Sequence, residues 1–184
     1  VGQTHASLRD VRGGLIVNAA GNSGASSGQA LLAGSFGSLV APKILPVGGF
    51  ILEDVDNADT VFGEGDSLFI YFDRLTDRGG LDAPTRGDEA FVNALFTFTH
   101  PLGARFSGEW QDASSFVITI QDASNEGITT DGVTLKNVRV TPTIASSPTA
   151  GQPIRNRGRT SAPATATSPV LQTRNAGVGT LLPP

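Results

Sequence analysis

An acidic stretch between residues 53 and 66 holds the side chains best suited to chemistry. Four oxygen-bearing side chains fall close together and two more aspartates follow: Asp54, Asp56, Asn57 and Asp59, then Asp66 and Asp73. Calcium binds about six to eight oxygen ligands, which Asp and Asn on a flexible loop can supply. The spacing lacks the glycine and the final glutamate of an EF-hand loop. Two interpretations stay open: a calcium site of the first four residues closed by Asp73 or Asp66, or a solvated acidic turn with local backbone hydrogen bonds.

Two smaller motifs have both a functional and a structural interpretation. Arg86-Gly87-Asp88 spells a tripeptide that some cell-adhesion receptors bind, but Asp88 is also placed to cap a helix. Trp110 and Tyr71 could stack on a sugar, although single aromatic residues in a β-protein more often belong to the core. The structural interpretation is favoured in both cases.

Residues for catalysis are few. His5 and His100 lie in no motif with a nucleophilic serine, and the sequence has no cysteine. The carboxylates of the acidic stretch carry no sign of burial that would raise a pKa. The chain is therefore predicted not to be an enzyme and to require no cofactor, with calcium as the one candidate ion.

Segments rich in Ser, Thr and Pro have the composition of O-glycosylated chain, and of flexible linkers, two compatible interpretations. The candidate acceptors are Thr141, Thr143, Ser147, Thr149, Thr160, Ser161, Thr165, Thr167 and Ser168. None of the eight asparagines stands in an Asn-x-Ser/Thr motif, so N-glycosylation is not expected.

Short alternating apolar segments separated by turn residues predict about seven strands and one helix. The clearest strands are 67–73, 96–99, 104–110, 115–121 and 133–141, preceded by a broken strand over 43–52 and weaker signals at 6–11 and 14–18. Asp88 is predicted to cap a helix over 89–95, with Phe91, Ala94 and Leu95 on one side. This pattern predicts an all-β fold, an Ig-like antiparallel β-sandwich.

Composition narrows the classes of partner. Charged residues make up 16% of the 184 residues, against roughly a quarter in typical domains, and the net charge is −4. No basic stripe suits nucleic acid, and no apolar run is long enough to span a bilayer. The absence of methionine and a start at Val1 fit a processed product or a piece of a longer protein.

The beginning of the chain resembles its end. Ser7–Arg12 aligns with Thr134–Arg139. Gly13-x-x-Ile16-x-Asn18 aligns with Gly151-x-x-Ile154-x-Asn156, Ser23 with Ser161, and the stretch 37–42 with 179–184. The chain is thus divided into an N-terminal arm over 1–42, a module over 43–171 and a Gly/Pro-rich tail or linker over 172–184.

An arm that copies only the closing strands of a module is predicted to need a partner. Lone hairpins are marginal in water, and open strand edges invite pairing with another chain. We expect the arm to dock on the next copy by strand donation, a head-to-tail contact that generates filaments. Its apolar anchors would be Leu8, Val11, Leu15, Ile16, Leu31 and Leu32. Two alternatives stay open: that 1–42 is a truncated neighbour from a longer tandem array, or that the match between the two ends is coincidental.

Three motifs carry a resemblance to a known family. They are Asp54-x-Asp56-Asn57-x-Asp59 running into Leu68-x-Ile70-x-Phe72-Asp73, Phe106-Ser107-Gly108-x-Trp110-x-Asp112, and Ile154-x-Asn156-x-x-x-x-Ser161, echoed as Ile16-x-Asn18. Together they resemble the immunoglobulin-like repeats of very large surface and extracellular proteins of algae and bacteria. The resemblance implies a structural or adhesive module of cell-surface polymers, including glycosylated fibrils, rather than an enzyme.

The sequence therefore predicts the structural protomer of an extracellular, O-glycosylated helical fibre. Its partners would be other copies of itself and attached glycans, with no nucleic acid and no membrane span. The alternative is a calcium-dependent adhesin or carbohydrate-binding module of the cell surface.

Overall fold

The computed structural model describes residues 5–7, 29–31, 39–55, 61–81, 86–130, 134–144 and 152–174. The chain divides into two compact units, Val1–Phe36 and Gly37–Pro184. The division falls earlier than the predicted boundary after Pro42. The first unit is called the arm below and the second the body.

The arm contains two short strands that pair with each other. Strand β1 (His5–Ser7) runs antiparallel to β2 (Gln29–Leu31), with His5 opposite Leu31. The first strand overlaps the predicted segment 6–11, whereas the predicted segment 14–18 lies outside the described residues.

The body is built on a six-stranded sheet. Its strands, in spatial order, are β12 (Gln172–Thr173), β3 (Phe50–Glu53), β4 (Ser67–Tyr71), β8 (Ser115–Asp122), β7 (Arg105–Trp110) and β5 (Arg86–Gly87). All neighbours are antiparallel except β12 and β3, which are parallel. The predicted strand over 67–73 is observed as β4, which lies inside the sheet between β3 and β8.

The predicted hairpin over 104–121 is confirmed as β7 and β8 joined by a turn at 111–114. The alternation of β8 turns Phe116, Ile118 and Ile120 into the core, where each is at most 1% exposed. Gly108 of β7 lies opposite Ile118 of β8, and a Cβ at this glycine would stand 2.6 Å from the Phe116 ring. The hairpin therefore needs a glycine where the aromatic ring crosses it.

Two smaller ladders lie beside this sheet. Strand β6 (Phe96–Phe98) pairs with β11 (Val140–Pro142), and β9 (Thr129–Thr130) pairs with β10 (Thr134–Leu135). The continuous strand predicted over 133–141 is wrong. The Val138 N–H donates to the Lys136 carbonyl at 2.7 Å, a tight turn centred on Asn137 that separates β10 from β11.

The helix predicted over 89–95 is confirmed. Helix α1 (Glu89–Leu95) begins after Asp88, whose side chain accepts a hydrogen bond from the Phe91 N–H at 3.3 Å. Its apolar face buries Phe91, Val92 and Leu95. Ala94, which was predicted on the buried side, is only half-buried against the core.

The core lies between the six-stranded sheet on one side and α1 with the β6–β11 ladder on the other. The Phe96 and Phe116 rings are 5.0 Å apart, and those of Phe50 and Phe98 are 6.4 Å apart. The body is thus mostly β with antiparallel sheets, consistent with the predicted all-β class.

Residues 152–174 form an extended segment, called the strap here, that is held along its length. It buries Ile154, Ala164 and Leu171, each at most 1% exposed. Its end was predicted to be a tail from 172 onward, but Gln172–Thr173 adds a strand to the sheet beside Ile51 and Leu52. The rest of the predicted tail, 175–184, lies outside the described residues.

Candidate functional site

The acidic segment between β3 and β4 is fixed at one end of the sheet. Glu53 pairs with Ser67, so Asp54 and Asp66 both lie at this end. Asp66 is 3% exposed, and its Oδ2 accepts a hydrogen bond from the Gly63 N–H at 2.8 Å. The buried carboxylate therefore has a structural role in closing the turn. Glu64, between them, is exposed.

The inclusion of Asp73 in the predicted cation site is corrected by the sheet. Asp66 and Asp73 bracket β4, and a strand rises about 3.3 Å per residue, so the two lie roughly 23 Å apart. Both oxygens of Asp73 accept hydrogen bonds from Arg74, at 3.0 and 2.8 Å. These bonds hold the pKa of Asp73 below its ordinary value, and the Lys43 N–H adds to the effect.

The remaining predicted ligands are only partly described. Asp56, Asn57 and Asp59 lie outside the described residues. Within the described ranges, no group of three or more His, Cys, Asp or Glu side chains is arranged to hold a metal ion. The calcium prediction thus rests on Asp54 and on residues that the structure does not describe.

The candidate O-glycosylation sites separate into accessible and inaccessible positions. Thr160, Thr165 and Thr167 are exposed, and Thr141 and Thr143 are half-buried. Ser161 and Ser168 are only 3% and 2% exposed, so these two are corrected: a sugar has no room on either hydroxyl in the folded body. Ser147 and Thr149 lie outside the described residues.

Ser168 is instead a point of attachment for the strap. Its hydroxyl accepts a hydrogen bond from the Val140 N–H at 2.9 Å and donates to the Pro169 carbonyl at 2.7 Å. The guanidinium of Arg139 donates to the Ser168 carbonyl oxygen at 2.9 Å. Side-chain groups therefore replace part of the backbone ladder between the strap and β11.

Ser161, which precedes Ser168 in the strap, makes the same set of hydrogen bonds. Its hydroxyl accepts from the Asn156 N–H at 3.0 Å and donates to the Ala162 carbonyl at 2.8 Å. The guanidinium of Arg155 donates to the Ser161 carbonyl oxygen at 2.6 Å. We call each arrangement a serine clasp. In a clasp, an arginine side chain donates to the serine carbonyl oxygen, and the N–H of the residue after that arginine donates to the serine hydroxyl. Neither arginine was singled out by the sequence.

The side chain of Asn156 adds further hydrogen bonds to the clasp of Ser161. Its Oδ1 accepts hydrogen bonds from the N–H groups of Thr160 and Ser161, at 2.9 and 3.3 Å. Its Nδ2 donates to the Thr160 hydroxyl oxygen at 2.9 Å. The Asn-x-x-x-x-Ser spacing that recurs in the arm as Asn18 and Ser23 is therefore, in the body, a device that closes a turn.

The remaining motifs take structural roles. Arg86 and Gly87 form β5, and Asp88 caps the helix. Trp110 is 2% exposed, with its ring 5.9 Å from that of Phe72 and 5.1 Å from that of Phe116. Tyr71 lies half-buried on the other face of the sheet, beneath the guanidinium of Arg174 at 5.9 Å.

Of the six predicted arm anchors, Leu31 lies in β2 opposite His5. The other five, Leu8, Val11, Leu15, Ile16 and Leu32, lie outside the described residues.

A scan against protein-family models gave no match, and searches of curated proteins and of solved structures gave none either. In the described part of the chain, no helix has the length and apolar character required to cross a membrane.

Proposed function

We propose that this chain is the structural protomer of an extracellular, O-glycosylated helical fibre, with an Ig-like β-sandwich as its body. The arm of one copy would dock on the body of the next by strand donation. The observation that carries the proposal is the repeat between the arm and the closing segment of the body, taken with what that segment does in the body.

The closing segment depends on the rest of the body for its burial and its backbone bonds. Val138 and Ile154 are fully buried in a core formed largely by earlier residues. Arg155 exchanges two hydrogen bonds with Asp77: its N–H donates to Asp77 Oδ1 at 2.8 Å, and its carbonyl accepts from the Asp77 N–H at 2.9 Å. The segment is therefore only one side of a packed structure.

The arm carries the same pattern. Val11, Ile16, Asn18 and Ser23 align with Val138, Ile154, Asn156 and Ser161. Burial of one such aliphatic side chain contributes about 1.5–3 kcal/mol of favourable free energy. An equivalent surface on a second copy would therefore favour binding of the arm.

The paired strands of the arm are also short. β1 and β2 have three residues each, and a two-stranded ladder of that length is marginal in water. Strand donation would extend such a ladder, since a strand of another copy can pair with an outer strand. Thr165, which is exposed on the strap, is the position that best supports an attached sugar.

Deletion of 1–36 tests arm docking. The full chain is expected to form filaments above a critical concentration, seen by negative-stain electron microscopy and light scattering. The body without the arm should stay a folded monomer, because it keeps its own core. A full-length Ile144→Asp variant is the matched control, since Ile144 is 65% exposed on the body and its change should leave filaments intact. Filaments that persist without 1–36 refute the proposal.

The second candidate is a calcium-dependent adhesin, favoured by the run of acidic residues between 53 and 66 in the sequence. Calcium would then raise the melting temperature of a protein that stays monomeric at every concentration. Filaments that form in the presence of a chelator would exclude this candidate.

A further inference from the structure

Strand β6 has an open edge. It pairs with β11 on one side, and no other strand in the described part of the chain pairs with it. The Thr99 N–H donates to the Arg139 carbonyl at 3.0 Å, and the Thr143 N–H donates to the Leu95 carbonyl at 2.8 Å. Bonded and unbonded residues alternate along an antiparallel pair, so Phe98 falls at an unbonded position. Its N–H and C=O therefore point away from β11.

Strand β11 is enclosed on both sides, unlike β6. Val140, which stands opposite Phe98, turns its backbone to the strap. Its N–H donates to the Ser168 hydroxyl at 2.9 Å, and its carbonyl accepts from the Ser168 N–H at 2.8 Å. The order across this layer is thus strap, β11 and β6, and the place after β6 can accept a further strand.

A groove of about 480 Å³ lies along the open edge. Phe96, Phe98, Leu102 and Phe106 give it an apolar lining, and Asn93 of helix α1 lines it as well. Phe98 is half-buried, whereas Phe96, Leu102 and Phe106 are each at most 6% exposed. The edge of β6 therefore offers backbone groups to an incoming strand and an apolar recess to one of its side chains.

The layer that contains β6 is also the narrower one. Six strands form the sheet on one side of the core, and β6 and β11 with α1 stand on the other. Neighbouring strands lie about 4.8 Å apart, so a strand added to β6 would cover the groove and widen this layer. The site therefore fits a strand better than a small molecule.

The internal repeat indicates which segment of the chain fits this edge. The aligned ends place Leu31 of β2 opposite Leu171 of the strap, with an offset midway between those of the Ser23–Ser161 match and the match at 37–42. Leu171 is fully buried, and β12 follows it and adds a strand to the edge of the six-stranded sheet. Strand β2 is therefore the arm's counterpart of a segment that joins a sheet edge and buries a leucine.

We propose that β2 of one copy pairs in parallel with the open edge of β6 on the next copy, with Leu31 in the groove beside Phe98. This inference rests on the proposed function, because it names the surface on which the arm docks. The parallel direction is that of β12, the counterpart of β2, on β3. The contact joins the β1–β2 ladder of one copy to the β6–β11 ladder of the next, giving one four-stranded sheet. Each copy has one β2 and one β6 for its two neighbours, so the contact repeats along a filament.

Paired cysteines test this register. Side chains alternate along a strand, so Leu31 beside Phe98 brings Ala30 next to Thr97 on the outer face. Thr97 is exposed, and the chain has no cysteine of its own. In the full-length double variant with Ala30→Cys and Thr97→Cys, mild oxidation should therefore join each copy to the next. A ladder of covalent oligomers on a non-reducing gel is the expected result.

Two control chains carry the same number of thiols at other positions. Gln29→Cys with Thr97→Cys puts the arm thiol on the opposite face of β2. Ala30→Cys with Arg86→Cys puts the body thiol at an exposed site of β5, an edge strand of the other sheet. Each control should give about tenfold less oligomer, because a disulfide requires Cα atoms about 4.4–6.8 Å apart. Equal yields in the three chains would overturn the proposal.

Filling the groove gives the second measurement. Asn93 is exposed on α1 and lines the groove, so Asn93→Trp should fold and occupy the place of Leu31. The concentration at which filaments appear should rise about tenfold, because one buried leucine contributes about a factor of ten or more to affinity. Ala90→Trp, at an exposed position of the same helix outside the groove, is the matched control and should leave that concentration unchanged.

The outcomes separate this inference from arm docking itself. Filaments that require 1–36 but are indifferent to Asn93→Trp, in chains that do not cross-link, overturn the contact and leave arm docking in place. Covalent oligomers without filaments in the unmodified chain support the contact and refute the fibre. Disulfide dimers of the single variant Thr97→Cys, as abundant as the oligomers of the double variant, assign the edge of β6 to pairing with itself and overturn the proposal. Loss of both thiols without oligomers shows docking within one copy and overturns it as well.

Discussion

Ser161 and Ser168 make equivalent sets of hydrogen bonds at two points of the strap. Each hydroxyl accepts from the N–H of the residue after an arginine and donates to the carbonyl of the residue after the serine. Each serine carbonyl accepts from that arginine, Arg155 in one case and Arg139 in the other. These bonds hold the strap, whose composition is that of a linker, against the rest of the body.

Removal of one clasp should destabilise the body measurably. Ser168→Ala leaves the buried Val140 N–H without its acceptor, which costs about 1–3 kcal/mol in the free energy of unfolding. Thr165→Ala, at an exposed position of the same strap, should change it by less than about 0.5 kcal/mol. Urea denaturation measures both, and equal midpoints for the two variants would show that the clasp contributes nothing.

Sugar attachment should follow accessibility rather than composition. Peptide mapping of native material by mass spectrometry should find glycans on the exposed Thr165 and none on Ser161 or Ser168. The physical reason is that both serine hydroxyls are buried and already hydrogen-bonded. A glycan on Ser168 in folded material would contradict the placement of the strap.

Gly108 should tolerate no side chain. A methyl group there would lie 2.6 Å from both the Phe116 ring and a methyl of Val92, and such overpacking costs about 1–3 kcal/mol. Gly108→Ala should therefore lower the melting temperature, whereas Gly158→Ala, whose Cβ has room, should not. Calorimetry measures the melting temperatures of the two variants. Similar melting temperatures would show that Gly108 tolerates a side chain.

Acid should weaken the body in part through Asp73. Arg74 lowers the pKa of Asp73 in the folded state, so its contribution to stability is present above the unfolded carboxyl pKa of about 3.9. That contribution is lost as pH falls through the lower folded pKa. Asp73→Asn should therefore flatten the pH dependence of the unfolding free energy below about pH 4. Arg74→Gln should flatten it as well, and an unchanged slope in both variants would exclude the pair as a cause.

Elements specified by nearby residues could be predicted from the sequence. Helix α1 was found because Asp88 supplies its cap within one turn, and the β7–β8 hairpin because its alternation and its turn are contiguous. In each case the deciding interactions span few residues.

Features decided by distant residues could not be predicted in this way. The break at Asn137 interrupts an alternating apolar pattern that gives no sign of it. The ordered strap depends on Arg139 and Val140, which lie far from Ser168 in sequence. Asp73 was assigned to the acidic segment by proximity along the chain, yet an intervening strand carries it to the opposite end of the sheet.

The parallel pairing of β12 with β3 has a mechanical consequence. Lys43 lies beside Asp73, and β3 and β12 both run from that end toward Glu53 and Arg174. Pulling Lys43 and Arg174 apart therefore slides the two strands past each other, so their hydrogen bonds share the load instead of opening one by one. A fibre whose tension passes through these two points would resist stretching by shear.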